Sequence, residues 1–227
     1  MTDASQHDRA RPLILTVPGL NSSGPAHWQS LWEKSREDCV RAELGTWSRP
    51  HRNTWVAKLS HAITAARRPV ILCAHSLGCL AVAWWSLLEG QGRDGPVAGA
   101  LLVAPPDCDR RRLPEPLVQF QPVPRTALPF PSIVAASRND PYAEIGFARE
   151  LAAQWGSSFV DVGMLGHINA ASDIGDWPFG EGLLDLLAAE AGTGKGVGRV
   201  DRAQLEPVRP FNRPSTDNGA ETGTRAR

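Results

Sequence analysis

Pro69-Val70-Ile71-Leu72-Cys73-Ala74-His75-Ser76-Leu77-Gly78-Cys79-Leu80-Ala81-Val82-Ala83-Trp84 joins a short apolar run to a serine and then to a second apolar stretch. Val70 to Ala74 is apolar and rich in strand formers, and the segment from Leu77 to Leu88 contains no Gly or Pro after Gly78. The pattern predicts a buried strand that turns directly into a buried helix. Such a turn holds its middle residue in a strained backbone conformation, so the residues two before and two after it must be small. Those positions are Ala74 and Gly78. Ala74 stands where glycine is usual, but it adds only a methyl group. The competing reading is a serine capping an ordinary helix. Strand, turn and buried helix together favour a nucleophile elbow, with the Ser76 hydroxyl presented at the end of the strand.

With 227 residues the chain can bury one sizeable core, and a single domain is expected. The 24 basic residues balance the 24 acidic ones, which argues against nucleic acid or an anionic membrane as partner and for a small-molecule substrate, neutral or mildly polar. Cys39, Cys73, Cys79 and Cys108 show no Cys-x-x-Cys spacing, and two of them fall in the apolar elbow region as small buried hydrophobes. Residues 1–11 read as a disordered polar leader without a signal-peptide core, and no run approaches the roughly 18 apolar residues of a membrane span. A reducing, cytoplasmic setting is expected, with no metal and no cofactor.

Leu13 to Val17 predicts a first strand, closed by the turn-rich loop from Pro18 to Gly24. Pro25 suits the first turn of a following helix, on which Trp28, Leu31 and Trp32 form one stripe. Val40, Ala42 and Leu44 alternate as a short second strand, and Asn53 fits the cap of a helix carrying Trp55, Val56, Leu59 and Ile63. Further strands are expected at 97–103, 132–137 and 159–162, with helices over 142–155 and through Leu183 to Leu187. From Pro105 to Pro131 eight prolines exclude a long helix. The apolar residues scattered among them, Leu113, Leu117, Phe120, Val123, Leu128 and Phe130, suggest a stiff cover over Ser76 that favours short acyl groups. The rival reading is a structural connection along the sheet edge. Residues 191–227 are polar and read as a disordered tail. Its Gly192–Gly196 run is no phosphate loop, because Ala189 stands where the first glycine belongs and no strand precedes it.

Alternation of strands and helices over residues 12–190 implies an α/β domain, a mostly parallel sheet of six strands with helices on both faces. Ligands bind such sheets beyond the carboxyl ends of the strands. Ser76, Asp140 and His167 each follow a predicted strand, in the chain order of a compact α/β-hydrolase fold. On that reading Ser76 is the nucleophile, His167 its base and Asp140 the acid that orients the histidine. Asp107 and Asp109 also follow a strand and are rivals for the acid. His7 sits in the leader, His51 and His61 lie outside any strand-end loop, and the His75 side chain points away from that of Ser76. Two backbone donors are needed for a tetrahedral intermediate, and the expected pair is Leu77, after the nucleophile, and Leu20, in the loop after the first strand, where Gly19 permits close approach. Trp28, Trp32, Trp84 and Trp85 read as core.

Four motifs resemble the small α/β-hydrolase family of the retinoblastoma-binding serine hydrolase and its bacterial relatives. They are Val17-Pro18-Gly19 with Ser22 and His27-Trp28-Gln29, then Ala74-His75-Ser76-Leu77-Gly78, Ser137-Arg138-Asn139-Asp140-Pro141-Tyr142, and Gly166-His167-Ile168-Asn169-Ala170-Ala171-Ser172 before Trp177-Pro178. The resemblance spans residues 12–189 and implies a Ser-His-Asp triad at Ser76, His167 and Asp140. It implies cleavage of esters, thioesters or amides through an acyl-enzyme. A protein-binding module on a hydrolase scaffold is the alternative, with an unidentified protein partner.

Overall fold

The computed structural model describes residues 11–89 and 95–192. The polar leader before Arg11 and the tail after Gly192 lie outside the described residues. Six short segments pair as one parallel sheet: β1 (Leu13–Val17), β2 (Cys39–Arg41), β3 (Val70–His75), β4 (Val97–Val103), β5 (Ser132–Ala136) and β6 (Ser158–Asp161). Every residue of β3 and of β5 is buried, as a parallel strand covered on both faces requires. This explains why both read as unbroken apolar runs instead of alternating ones.

The strand order is β2-β1-β3-β4-β5-β6. The chain moves outward from β1 first to one side and then to the other, so the order reverses between β1 and β3. Outside the carboxyl ends of those two strands lies the crevice in which such sheets take ligands. The register aligns the ends: Val17 pairs with Ala74, His75 with Val103 and Ala136 with Asp161. Loops following all these strands therefore emerge on one edge.

Two cores flank the sheet. On one face α2 (Arg52–Ala65), α3 (Leu77–Glu89) and α5 (Ile145–Trp155) bury Trp55, Leu59, Leu80, Trp85 and Trp155. On the other, α1 (Trp28–Ser35) and α6 (Pro178–Gly192) bury Trp28, Trp32, Leu183 and Leu187. The remaining helix, α4 (Glu115–Val118), is a single turn inside the proline-rich segment. Among the described residues no helix is long and apolar enough to cross a membrane.

That segment departs from the expectation of a cover. Leu117, Phe120, Val123, Leu128 and Phe130 are all buried in the core of the α2–α3–α5 face, with Leu113 packed against it. The Phe120 ring meets Trp55 of α2 edge-on at 5.6 Å. Trp84 Nε1 donates to the Phe120 carbonyl at 3.0 Å and Trp155 Nε1 to the Pro124 carbonyl at 2.7 Å, so two helices hold the segment down. Its apolar side chains are consumed in the core, and Ser76 remains partly exposed. The structural connection is the reading that fits.

Smaller differences have local causes. The second strand stops at Arg41, although Ala42 still donates its amide to the Thr16 carbonyl at 2.9 Å. Pro25 lies in the turn before α1, and the cap is His27, whose Nδ1 accepts from the Gln29 amide at 3.2 Å. Helix α2 begins at Arg52 after His51, and Asn53 lies inside its first turn, its Oδ1 accepting from Arg52 Nε. Helix α5 starts at Ile145 because Tyr142 is held elsewhere: its amide donates to Asp140 Oδ1 at 2.8 Å and its carbonyl accepts from the Asp107 amide at 3.0 Å.

Candidate active site

The turn between β3 and α3 places Ser76 at φ +53°, a region that L side chains avoid. The ladder enforces it: the Ser76 amide donates to the Val103 carbonyl at 2.9 Å, and the Ser76 carbonyl accepts from Cys79 at 2.9 Å. Sterics explain the small neighbours. A Cβ on Gly78 would lie 2.1 Å from the Val17 carbonyl oxygen, so glycine alone lets α3 start this close to the end of β1. A Cβ on Gly19 would lie 2.8 Å from Ser76 Cβ and 3.1 Å from the Leu77 nitrogen, which shows how tightly the loop after β1 approaches the elbow. Leu77 is the first residue of α3, and its amide has no acceptor within the helix. Leu20, next to Gly19, is half-buried on the same side.

Two further loops bring in the partners. His167 Nε2 lies 2.8 Å from Ser76 Oγ, and His167 Nδ1 lies 3.0 and 2.9 Å from the two oxygens of Asp140. The Asp140 and His167 side chains are only 3% and 9% exposed. A carboxylate can only accept, so Nδ1 carries the proton and Nε2 presents a lone pair to the serine hydroxyl. The loops are sewn together by Ser137 and Asn139. Ser137 Oγ accepts from the Leu165 amide and donates to Asn139 Oδ1, and Asn139 Oδ1 accepts from the Gly166 amide, each at 2.8 Å. Asn169 caps the turn Ala170–Ser172 directly after the histidine.

Behind His167 stands a layer that the sequence did not announce. His75 Nε2 donates to the His167 carbonyl at 2.9 Å, and the two rings are 4.9 Å apart. The partner of the His75 side chain is the backbone of His167. His27 packs edge-on against His75 at 4.7 Å. Burial, Arg41 and then His167 push the His27 imidazole down to about 4. Burial foremost, then the charges of His167 and His27, hold His75 well below the ordinary range as well. Both rings are thus neutral near pH 7. Trp28 Nε1 donates to the Ile168 carbonyl at 2.8 Å. The fully buried Gln29 donates to the Cys73 carbonyl at 2.8 Å and accepts from Ser23 Oγ at 2.5 Å, tying the elbow strand to the loop after β1. His27 and Gln29 are polar residues beside tryptophans on a short helix, a signal that ordinary surface polarity imitates.

The other candidates are occupied elsewhere. Asp107 accepts the Asp109 amide and pairs with Arg110 at 3.5 Å, while Asp109 binds the Val123 amide at 3.0 Å and Arg125 at 3.1 Å. Both anchor the proline-rich segment. His51 and His61 are exposed at and on α2. All four cysteines are free and buried. Burial, above all, pushes the Cys39 and Cys108 thiols up to about 12 and raises those of Cys73 and Cys79, so none is poised as a thiolate nucleophile. Among the described residues, no group of three or more His, Cys, Asp or Glu side chains is placed to hold a metal ion.

A serine hydrolase family model matches residues 14–186. The chain is similar to a YdeN-like hydrolase of Pectobacterium atrosepticum at 33% identity, over 81% of this chain and 92% of that one, with a TM-score of 0.68. It resembles the ydeN gene product of B. subtilis at 21% identity, over 79% of this chain and 98% of that one, with a TM-score of 0.62. Est1E of Butyrivibrio proteoclasticus shares the fold at 13% identity, with 78% and 88% coverage and a TM-score of 0.58. No curated protein matches the chain.

Proposed function

The chain belongs to the serine hydrolase family, and on that premise we propose that it cleaves small carboxylic esters through a Ser76–His167–Asp140 triad and an acyl-enzyme. The observation that carries this is the unbroken hydrogen-bonded line from Ser76 Oγ through His167 to the Asp140 carboxylate, at 2.8 and 2.9 Å. Thioesters and amides share the chemistry and are secondary substrates. Kinship with the retinoblastoma-binding serine hydrolase and its bacterial relatives is part of the proposal and rests on the four sequence motifs. So does a small-molecule substrate in a cytoplasmic setting, for which balanced charge and four free buried thiols speak.

In the acylation step, Ser76 Oγ attacks the ester carbonyl carbon while its proton passes to His167 Nε2. The imidazolium so formed is stabilised by the buried Asp140 carboxylate on its other nitrogen. The carbonyl oxygen becomes an oxyanion held by the amides of Leu77 and Leu20, and a donor of this kind is worth about 10² to 10³ in rate. Collapse breaks the bond to the alcohol oxygen, which takes the proton from Nε2 and leaves. Water then repeats the sequence against the acyl-enzyme, with His167 again as base, and releases the acid and free Ser76. Among these groups only Ser76 becomes covalently modified.

The test is a panel of short-chain esters, thioesters and amides with the purified protein, read against Ser76→Ala and His167→Ala. Wild type should turn over the esters fastest, and each variant should lose about 10³ to 10⁶ in kcat while its thermal midpoint stays close to that of the parent. Parent-like rates in either variant would refute the triad.

A further inference from the structure

We propose that Tyr142 lines an apolar subsite for the alcohol part of the substrate, and that the enzyme favours esters of aromatic alcohols; this rests on the hydrolase reading above. The placement follows from where the leaving group must stand. His167 Nε2 takes the proton from Ser76 and returns it to the departing alcohol oxygen, so that oxygen has to come within hydrogen-bonding reach of Nε2. Two rings flank the imidazole. His75 lies 4.9 Å away and is buried, closing that side. Tyr142 lies 4.5 Å away at an interplanar angle of 58° and is 48% exposed. An alcohol group that reaches Nε2 from solvent therefore passes over Tyr142.

The ring is presented and not merely left over. Of the six large apolar side chains exposed among the described residues, two, Tyr142 and Met164, stand on the loops that carry Asp140 and His167. Beside the catalytic candidates these side chains offer apolar surface that a bound substrate can cover. The Tyr142 backbone is fixed from both sides, by the Asp140 carboxylate and by the Asp107 amide, so the ring is held in place before substrate arrives. Met164 sits between Gly163 and Leu165, which are bonded to Arg138 and Ser137, and adds a polarisable side chain on the loop that carries His167. Both features suit a flat aromatic group better than a small alkyl one.

Benzyl acetate and ethyl acetate test this, because they share the acyl group and both release a primary alkoxide. The ratio of their kcat/KM values then reports contacts to the alcohol part. Replacing Tyr142 by Ala should lower the benzyl-to-ethyl ratio about three- to tenfold, as expected for one lost aromatic contact, while Tyr142→Phe should keep the parental ratio. A ring that only props the imidazole would depress both esters together. An unchanged ratio in Tyr142→Ala, with wild-type Ser76 still modified by a fluorophosphonate, would overturn the subsite alone. Absence of that modification in wild type, or failure of the unlabelled wild type to cleave either ester, would overturn the hydrolase reading and the subsite with it.

Discussion

The elbow at Ser76 and the loop at His167 reach the same point in space by opposite means. The elbow is built by close backbone approach: Gly78 admits the Val17 carbonyl, Gly19 admits Ser76 itself, and the ladder to Val103 holds the positive φ. The histidine loop is built by side-chain hydrogen bonds. Ser137 and Asn139 fasten its start, His75 its carbonyl and Trp28 the residue after it, across separations from 26 to 140 residues. Backbone steric demand therefore fixes the nucleophile, and side-chain polar contacts fix the base. Perturbing one should leave the other largely intact, and this contrast can be tested from its strongest consequence downward.

Asp140→Asn attacks the polar side at its most sensitive bond. Asparagine can present its amide nitrogen to His167 and favour the wrong tautomer, so kcat should fall about 10⁴-fold, by analogy with serine proteases. Asp107→Asn, one strand earlier, should change kcat little because its carboxylate serves Arg110 and the Asp109 amide. A large loss at Asp107 with none at Asp140 would move the acid to the earlier strand.

Phe120→Ala tests whether the proline-rich segment belongs to the core or to the site. With the ring fully buried against Trp55, the loss should be about 3–5 kcal/mol in stability, seen as a lower denaturant midpoint, with acyl-length preference unchanged. Altered chain-length preference at parental stability would restore the cover. Gly78→Ala sharpens the steric side: a methyl group 2.1 Å from backbone oxygen must push α3 away, costing about 1–3 kcal/mol and slowing turnover more than a surface Gly146→Ala would.

The elbow, the strand at 97–103 and the order Ser, Asp, His were legible because each shows as a pattern of residues adjacent in the chain. The buried roles of His27 and Gln29 were not. Polar side chains read as solvent-facing, and the burial of Gln29 depends on the Cys73 carbonyl, 44 residues away. Asn53 has the right propensity for a cap, yet α2 starts before it, and Trp55, which donates to the Gly45 carbonyl at 3.0 Å, docks the first turn. Apolar residues among prolines signalled that something is covered without saying which surface, and the packing of Phe120 against Trp55 decided it. Fold class was thus available from pattern, and the boundaries of β2 and α5 were not.

The smallest effect concerns pH. The unfolded chain protonates His27 near its ordinary value of about 6.5, whereas the folded chain resists until about 4. Between those values the unfolded state binds the extra proton, so stability falls as pH is lowered through this window, by at most about 1.4 kcal/mol per unit from this histidine. Buried His75 acts in the same direction. Urea midpoints should drop between about pH 7 and pH 5, and less so in His27→Asn; a flat midpoint in the parent would contradict neutral burial of this ring.

Covalent capture of Ser76 tests the elbow and the histidine loop together. A fluorophosphonate probe reacts only with a serine whose proton an adjacent base can take. Peptide mapping after labelling should find one adduct, on Ser76, absent from Ser76→Ala and formed far more slowly in His167→Ala. No adduct on the folded parent, or an adduct that survives Ser76→Ala, would contradict the assignment of the active site.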